Sequence, residues 1–374
     1  VWVNSAESGP FSTNALDDDG NGYTNDLRGW DFYNGDNNPM DGDGHGTHCS
    51  GIIGAVGDNG IGVAGICWRV RIMPLKIMSD DACSKIACMT DVMRAIEYAV
   101  RKGAKILSNS YWFSTEGYSQ GVADMITVAC SRGVLFVASA GNYTQNNDVV
   151  GHYPSDYTNA NVIAVASTTN NDHLSEFSNY GSNSVHLAAP GSAVLSTTPG
   201  STYGRKSGTS MAAPHVAGAA ALLWAYDPTL SMEAVKAALL DSVDTNAWLA
   251  GKVLSGGRLN IAKALRSIEG LRMDRAEYFV NSWITLSLVS TGLSGAITQT
   301  ARVSATSGDI EYVALSERSG SAGVFTGRLW LAGATTATNG NGWLEATHGT
   351  VILALNVSAT AEIYTLALHG ALPI

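Results

Sequence analysis

Between residues 70 and 168, short apolar runs alternate with amphipathic stretches. VRIMPLKIM (70–78) reads as a short apolar strand. CMTDVMRAIEYAVRKG (88–103) places apolar residues three and four apart, cations in its last turn and Gly103 after it, which predicts a helix. AKILSNS (104–110) is a strand, and SQGVADMITVACSRG (119–133) is a second helix closed by Gly133 in the same way. VLFVASAGN (134–142) and NVIAVAST (161–168) are apolar throughout, as strands buried on both faces are. Strand–helix–strand order at this spacing implies right-handed crossovers, hence an α/β fold with a parallel sheet and helices on both faces. Further helices are predicted at about 211–226, 231–242 and 258–268.

Either side of this core the texture differs. Residues 1–44 are rich in Asp, Asn and Gly and read as loop. After residue 270, β-branched runs such as ITLSLVS, DIEYVALSE and GVFTGRLWLAG are separated by Gly, Ser and Asn-Gly, predicting an all-β, sandwich-like module. The organisation expected is a domain over 1–268, a linker over 269–275 and a β module over 276–363.

Composition narrows the classes. With 45% apolar and 14% charged residues the chain has the make-up of a folded protein, and its net charge of −10 argues against nucleic acid as a partner. The apolar stretches are too short and too interrupted for a membrane span. Cys49, Cys67, Cys83, Cys88 and Cys130 are odd in number, so one thiol at least stays unpaired within the chain. Cys83 and Cys88 could close a small loop, or all could be small buried residues; pairing and compartment are not fixed by them.

Three segments carry candidate chemistry: GDGHGTHCSGIIGA (42–55), SAGN (139–142) and GTSMAAPHVAGAAALLWA (208–225). Each alone has a plain structural reading as a turn, a strand end and a helix N-cap. Together they supply a histidine base, an amide donor and a serine, which is what nucleophilic catalysis with oxyanion stabilisation needs. The order His, Asn, Ser on an open parallel sheet excludes the α/β-hydrolase order, and GxSxG does not surround Ser210. A metal hydrolase using His45 and His48 is an alternative, but no third ligand is apparent.

HGTHCSGIIGA, SAGN and SGTSMAAPHVAG resemble the His, oxyanion and Ser signatures of the subtilisin (subtilase) family, and the resemblance covers roughly residues 15–268. GVAG (62–65), AAPG (188–191) and GGRLN (256–260) also look like its secreted bacterial members. The resemblance implies a serine endopeptidase acting on proteins or peptides, with Ser210 as nucleophile, His45 as general base and Asn142 as oxyanion donor. The Ser210 N–H, at a helix N-terminus, is the expected second donor. Pro214 is expected in the first helical turn, where a missing N–H is harmless. His48 and His215 are expected to be structural. Ser110, Tyr111 and Trp112 match the segment that pairs with substrate. Ala140 and Gly141 are implied to line the same cleft, and His152 of HYPSD (152–156) falls at the pocket floor. HGTHC resembles the branch with a thiol beneath the catalytic histidine, here Cys49.

DDDGNGYTND (17–26) spaces oxygen ligands like a calcium loop, with Asp17, Asp19, Asn21, the Tyr23 carbonyl and Asp26 as candidates and Ca2+ as a structural cofactor. DNNPMDGD (36–43) resembles a second calcium loop of the family. The family's remaining catalytic residue is an Asp followed by Thr-Gly or Ser-Gly, upstream of the acidic loop. Nothing before residue 15 matches it, so the expectation is a chain lacking that Asp and nearly inactive alone. The tail YTLALHGALPI (364–374) resembles the sequencing-adapter translation YTLSLHDALPI, differing at Ala367 and Gly370, and is read as adapter-derived. A secreted, extracellular monomer whose signal and pro-segment lie outside the sequence is expected. The contrasting reading is a non-catalytic secreted binding protein with a vestigial peptidase domain.

Overall fold

The computed structural model describes all residues except 12–13, 81–87, 114–116, 269, 274–280, 290–297, 306–308, 319–323, 334–339, 347–350, 357–362 and 368–374. Cys83, part of the segment after Phe113, the start of the expected β module and the last part of the tail thus lie outside the described residues. The chain divides into two compact units, one of Val1–Leu222 with Met232–Ala264, the other of Leu223–Ser231 with Leu265–Ile374.

The first unit opens with two 3₁₀ turns, Ser5–Glu7 and Gly9–Phe11, and the short strand β1 (Trp30–Asp31), which pairs in parallel with β2 (Leu75–Lys76). Helix α1 (His45–Gly54) starts at the first histidine of the HGTH segment. Then follow β2, α2 (Met89–Arg101), β3 (Ile106–Asn109), α3 (Gln120–Ser131), β4 (Leu135–Ser139) and β5 (Val162–Thr168). Next come β6 (Leu187–Pro190), the hairpin β7 (Val194–Thr198) and β8 (Thr202–Lys206), α4 (Thr209–Tyr226), α5 (Met232–Asp241), β9 (Asp244–Thr245), β10 (Gly257–Arg258) and α6 (Ile261–Ser267). The main sheet runs β3-β4-β5-β6-β10-β9, parallel except for the last pair.

The expected alternation is present, with shorter edges. The strand expected over 70–78 is regular only at Leu75–Lys76, because its partner β1 is equally short. Helix α2 buries Val92, Ala95, Ile96 and Ala99, the one face that its spacing marks as apolar. The predicted glycine stops hold. After Gly103 and Gly133, both left-handed, the chain turns back so that Ala104 N donates to Ala99 and Val134 N to Ala129. Phe136, Ala138 and Val162 pack with Val92, Val122 and Ile126, while Leu135, Val137, Ile163 and Val165 on the opposite face are equally buried. Both faces are therefore covered, which is why these strands carry no polar alternation. Each large side chain buried here contributes about 1.5–3 kcal/mol, and Phe136→Ala would cost about 3–5 kcal/mol.

β3 ends the main sheet on one side. Its Ser108 is exposed, although Leu107 belongs to the apolar cluster against which Leu75 packs. β2 and β3 thus share a core without pairing to each other.

In the second unit, β11 (Gly270–Met273), β12 (Ser282–Val289), β13 (Thr298–Ala305), β14 (Ile310–Glu317), β15 (Val324–Gly333), β16 (Trp343–Ala346), β17 (Val351–Asn356) and β18 (Ile363–Ala367) form one sheet. All pairs are antiparallel except β15–β16. The all-β expectation is met, the strands joining in one continuous sheet. Ile284, Leu286, Leu288, Val303, Leu315, Phe325 and Leu344, from strands across that one sheet, form a common core. Residues 270–273, expected in the linker, are instead strand β11, because Gly270–Met273 pair in register with Leu286–Val289. The tail's residues 364–367 lie in β18.

Candidate active site

The amino end of α1 is built by Asp41. Its carboxylate accepts the backbone N–H groups of Asp43, Gly44 and Thr47 and the Thr47 hydroxyl. Burial pushes this carboxyl up, but those hydrogen bonds outweigh it and hold it below the usual range. His45 is therefore the first residue of a firmly capped helix, and it is half-buried. His48, one turn on, is fully buried, and its Nε2 lies 3.0 and 3.1 Å from the Val194 and Gly204 carbonyls of the β7–β8 hairpin. Its Nε2 fastens α1 to that hairpin, while its Nδ1 is buried without a hydrogen-bond partner. His215 Nδ1 donates to the Met211 carbonyl, a bond within α4.

The segment after β4 turns at Gly141, whose φ is +111°. A Cβ there would stand 2.4 Å from Asn179 Nδ2 and 2.7 Å from His152 Nε2, so only glycine fits. This turn delivers Asn142. Its Oδ1 accepts from Thr209 N at 2.8 Å and Thr209 Oγ1 at 3.0 Å. Thr209 Oγ1 in turn accepts from Gly141 N at 3.1 Å. With Oδ1 committed to the start of α4, Asn142 Nδ2 is left without a protein partner among the described residues.

A cleft of about 60 Å3 is lined by Ser110, Tyr111, Trp112, Ser139, Gly141, Asn142, Tyr143, His152 and Ser210. It brings together most of the residues expected to meet substrate. Ala140 is the exception: fully buried among Ala164, Ala166 and Ala188, it supports the turn from behind. The bulky trio after Ser110 divides. Tyr111 and Trp112 line the cleft, whereas Phe113 is 3% exposed and belongs to the core. Tyr143, exposed, meets Trp112 edge-on with centroids 5.8 Å apart. Tyr143, Ser139 and Thr209 had no signal in the sequence beyond their neighbours. Burial pushes the His152 imidazole down to about 4 and the Asp156 carboxyl, which accepts from His152 N, up to about 6.

Pro214 is not in the first turn, as expected, but at the sixth position of α4, counted from Thr209. Cys49 is half-buried and its Sγ–H points to the Ser210 carbonyl at 3.3 Å. The four described cysteines, Cys49, Cys67, Cys88 and Cys130, are free thiols.

The acidic loop is organised differently from the expected ligand order. Glu7, Asp19 and Asp26 each place a carboxylate oxygen within 4.8 Å of the others. Asp17 instead braces the turn by accepting from the N–H groups of Asn21 and Gly22. Asn21 Oδ1 accepts from Tyr23 N and its Nδ2 donates to Asp26. The Tyr23 ring packs with Trp30, Phe32 and Tyr98. Lys102 Nζ bonds to Asp19 and lies 3.7 Å from Asp26, and the Tyr98 hydroxyl donates to Asp26 at 2.6 Å. Glu7, absent from the expected set, is fully buried and its Oε2 has no hydrogen-bond partner. In the second expected loop, Asp41 is engaged as the helix cap and Asp36 accepts from Asn38 N.

A serine opening a helix beside a glycine turn and an amide, at the ends of parallel strands, is the architecture of the subtilisin-like serine proteases. The chain belongs to the subtilase family, whose profile matches residues 7–264. It is 42% identical to thermitase of Thermoactinomyces vulgaris over 240 residues, 64% of this chain and 81% of thermitase. It is 33% identical to subtilisin-like protease 1 of Plasmodium falciparum over 288 residues, 72% of this chain but only 41% of that relative's length. Among solved structures, a mutant of the protease domain of PatA matches with a TM-score of 0.52 and 30% identity, over 60% of this chain and 82% of that one. Proteases from Pseudoalteromonas arctica match with a TM-score of 0.51 and 30% identity, over 60% of this chain and 70% of that one.

Proposed function

We propose that the chain carries the peptidase unit of a secreted, monomeric serine endopeptidase that hydrolyses peptide bonds through an acyl-enzyme on Ser210. The observation that carries this reading is the fixed amide of Asn142, held by Thr209 at the mouth of the cleft that also contains Ser210. His45 takes the Ser210 hydroxyl proton as Oγ attacks the substrate carbonyl, and returns it to the leaving amine. Asn142 Nδ2 and the Ser210 N–H, at the positive end of α4, meet the negative oxygen that forms. Water then repeats the sequence to release the acid. Among the described residues no helix is long and apolar enough to cross a membrane.

A histidine base of this kind is oriented by a carboxylate on its other ring nitrogen. We also propose structural calcium at Glu7, Asp19 and Asp26. The orphaned, buried Glu7 oxygen fits a cation, and hard carboxylate oxygens are what Ca2+ takes. Its role there is to join the 3₁₀ turn to the acidic loop.

The test is peptide hydrolysis by the whole protein, read as an acyl-enzyme burst with an activated ester. A burst that vanishes in Ser210→Ala is expected. A burst surviving that change would contradict the assignment, and no hydrolysis at all would favour the non-catalytic binding protein.

A further inference from the structure

Pro214 has no N–H, and its place in α4 makes the carbonyl of Ser210, four residues earlier, the acceptor that loses a helical bond. A carbonyl orphaned inside a helix is costly unless another donor reaches it. Two side chains from outside α4 do so. Ser110 Oγ donates to the Ser210 carbonyl at 3.0 Å and Cys49 Sγ at 3.3 Å. Ser110 is the residue after β3 ends at Asn109, and Cys49 lies one turn after His45 on α1. Burial pushes the Cys49 thiol up to about 12, so it remains a donor and not a thiolate. One oxygen atom therefore ties together the helix of the base, the wall of the cleft and the helix of the nucleophile.

We infer that Ser110 is a positioning residue for Ser210, its hydroxyl replacing the helical hydrogen bond that Pro214 cannot make, with the Cys49 thiol as a weaker second donor. The inference rests on the reading of Ser210 as nucleophile. Holding the peptide plane after Ser210 fixes the backbone at that residue and so the place of its Cβ, from which Oγ must reach the base and the oxyanion donors. Ser110 reaches the chain of the nucleophile, so its loss disturbs alignment and not only the cleft wall. Misalignment of a reacting group lowers turnover without weakening ground-state binding.

The experiment measures kcat and KM for a peptide substrate with the whole protein, its Ser110→Ala and Cys49→Ala variants, and the double variant Ser110→Ala with Pro214→Ala. Ser110→Ala should lower kcat about tenfold with KM within about twofold, and Cys49→Ala should lower it by less. Pro214→Ala restores an N–H to the helix, so the double variant should regain most of the lost kcat. A rise in KM with kcat unchanged in Ser110→Ala would make Ser110 a substrate contact only and overturn the inference. So would a double variant that stays as slow as the single one. If Ser110→Ala does not fold, the Cys49→Ala kcat decides: no change there overturns the proposal. Unmodified protein that neither turns over substrate nor accepts a fluorophosphonate on Ser210 would fail the nucleophile reading first, and the inference with it.

Discussion

The cleft and the acidic loop are both dense in buried polar groups, and they differ in how those groups are satisfied. In the cleft, Asn142 Oδ1, the Gly141 N–H and the Ser210 carbonyl have protein partners at ordinary distances, and His152 Nε2 is buried without one, a nitrogen where the acidic loop leaves a carboxylate oxygen. Around Glu7, Asp19 and Asp26, Lys102 is the one cation paired with these carboxylates among the described residues, through Asp19 and Asp26, and one buried oxygen of Glu7 has no partner. Protein dipoles hold the first site in place, as the oxyanion stabilisation proposed for it requires. The second is short of positive charge, which suits the calcium proposed there.

The largest effects should separate the two regions. Asn142→Ala removes the amide proposed to meet the oxyanion and should lower kcat by about 10²–10³, with little change in melting temperature. Thr209→Val keeps the backbone donor to Asn142 but deletes the hydroxyl that joins it to Gly141. It should lower kcat by about tenfold, read in the same assay. Chelator acts on the other region. A ligand bound only by the folded state at about 100 times its Kd adds about 2.7 kcal/mol, so chelation should lower the melting temperature by roughly 5–10 °C. Glu7→Gln should lose most of that sensitivity, whereas Asp17→Asn, at a turn-bracing residue, should keep it.

A smaller effect lies within the cleft wall. His152 has its imidazole pushed down to about 4, so the unfolded chain protonates first as pH falls below its usual range, and stability is lost between about 6.5 and 4. Asp156 has its carboxyl pushed up to about 6, so its stabilising proton is present below about 3.9 and lost as pH rises through 6. The two slopes oppose each other between pH 4 and 6. His152→Leu should therefore leave a domain whose stability falls as pH rises from 4 to 6, and Asp156→Asn one whose stability falls as pH drops from 6.5 to 4. Denaturant midpoints across pH check both, and identical profiles for the two variants would contradict the opposed slopes.

The contrast also explains what could be read from the chain directly. His45, Asn142 and Ser210 stand in contiguous motifs whose spacing reflects local backbone geometry. Thr209 could not be told from an ordinary helix cap, because its work depends on a loop 67 residues away in sequence. Glu7 was silent for the same reason. It lies outside the Asp-Gly-Asn repeat, and only the fold of residues 1–31 brings it to Asp19 and Asp26. The apolar pattern of α4 starts after the residues that open the helix, so Pro214 reads as a first-turn residue although it is the sixth. Gly270–Met273 looked like a joint because four residues are too few to show alternation, and pairing with β12 decides their state. Calcium-loop spacing gave the right neighbourhood for an acidic cluster, but turn-bracing hydrogen bonds claim Asp17 and the Asn21 oxygen.

The account turns on Ser210 being the reactive oxygen of a preformed oxyanion site. The direct measurement is intact-mass and peptide-mapping analysis of the whole protein after a fluorophosphonate, in calcium and in chelator at a temperature where both forms are folded. One adduct at Ser210, formed at the same rate in both conditions and slowed in Asn142→Ala, is the predicted result. No adduct, or an adduct on any other residue, would contradict the account.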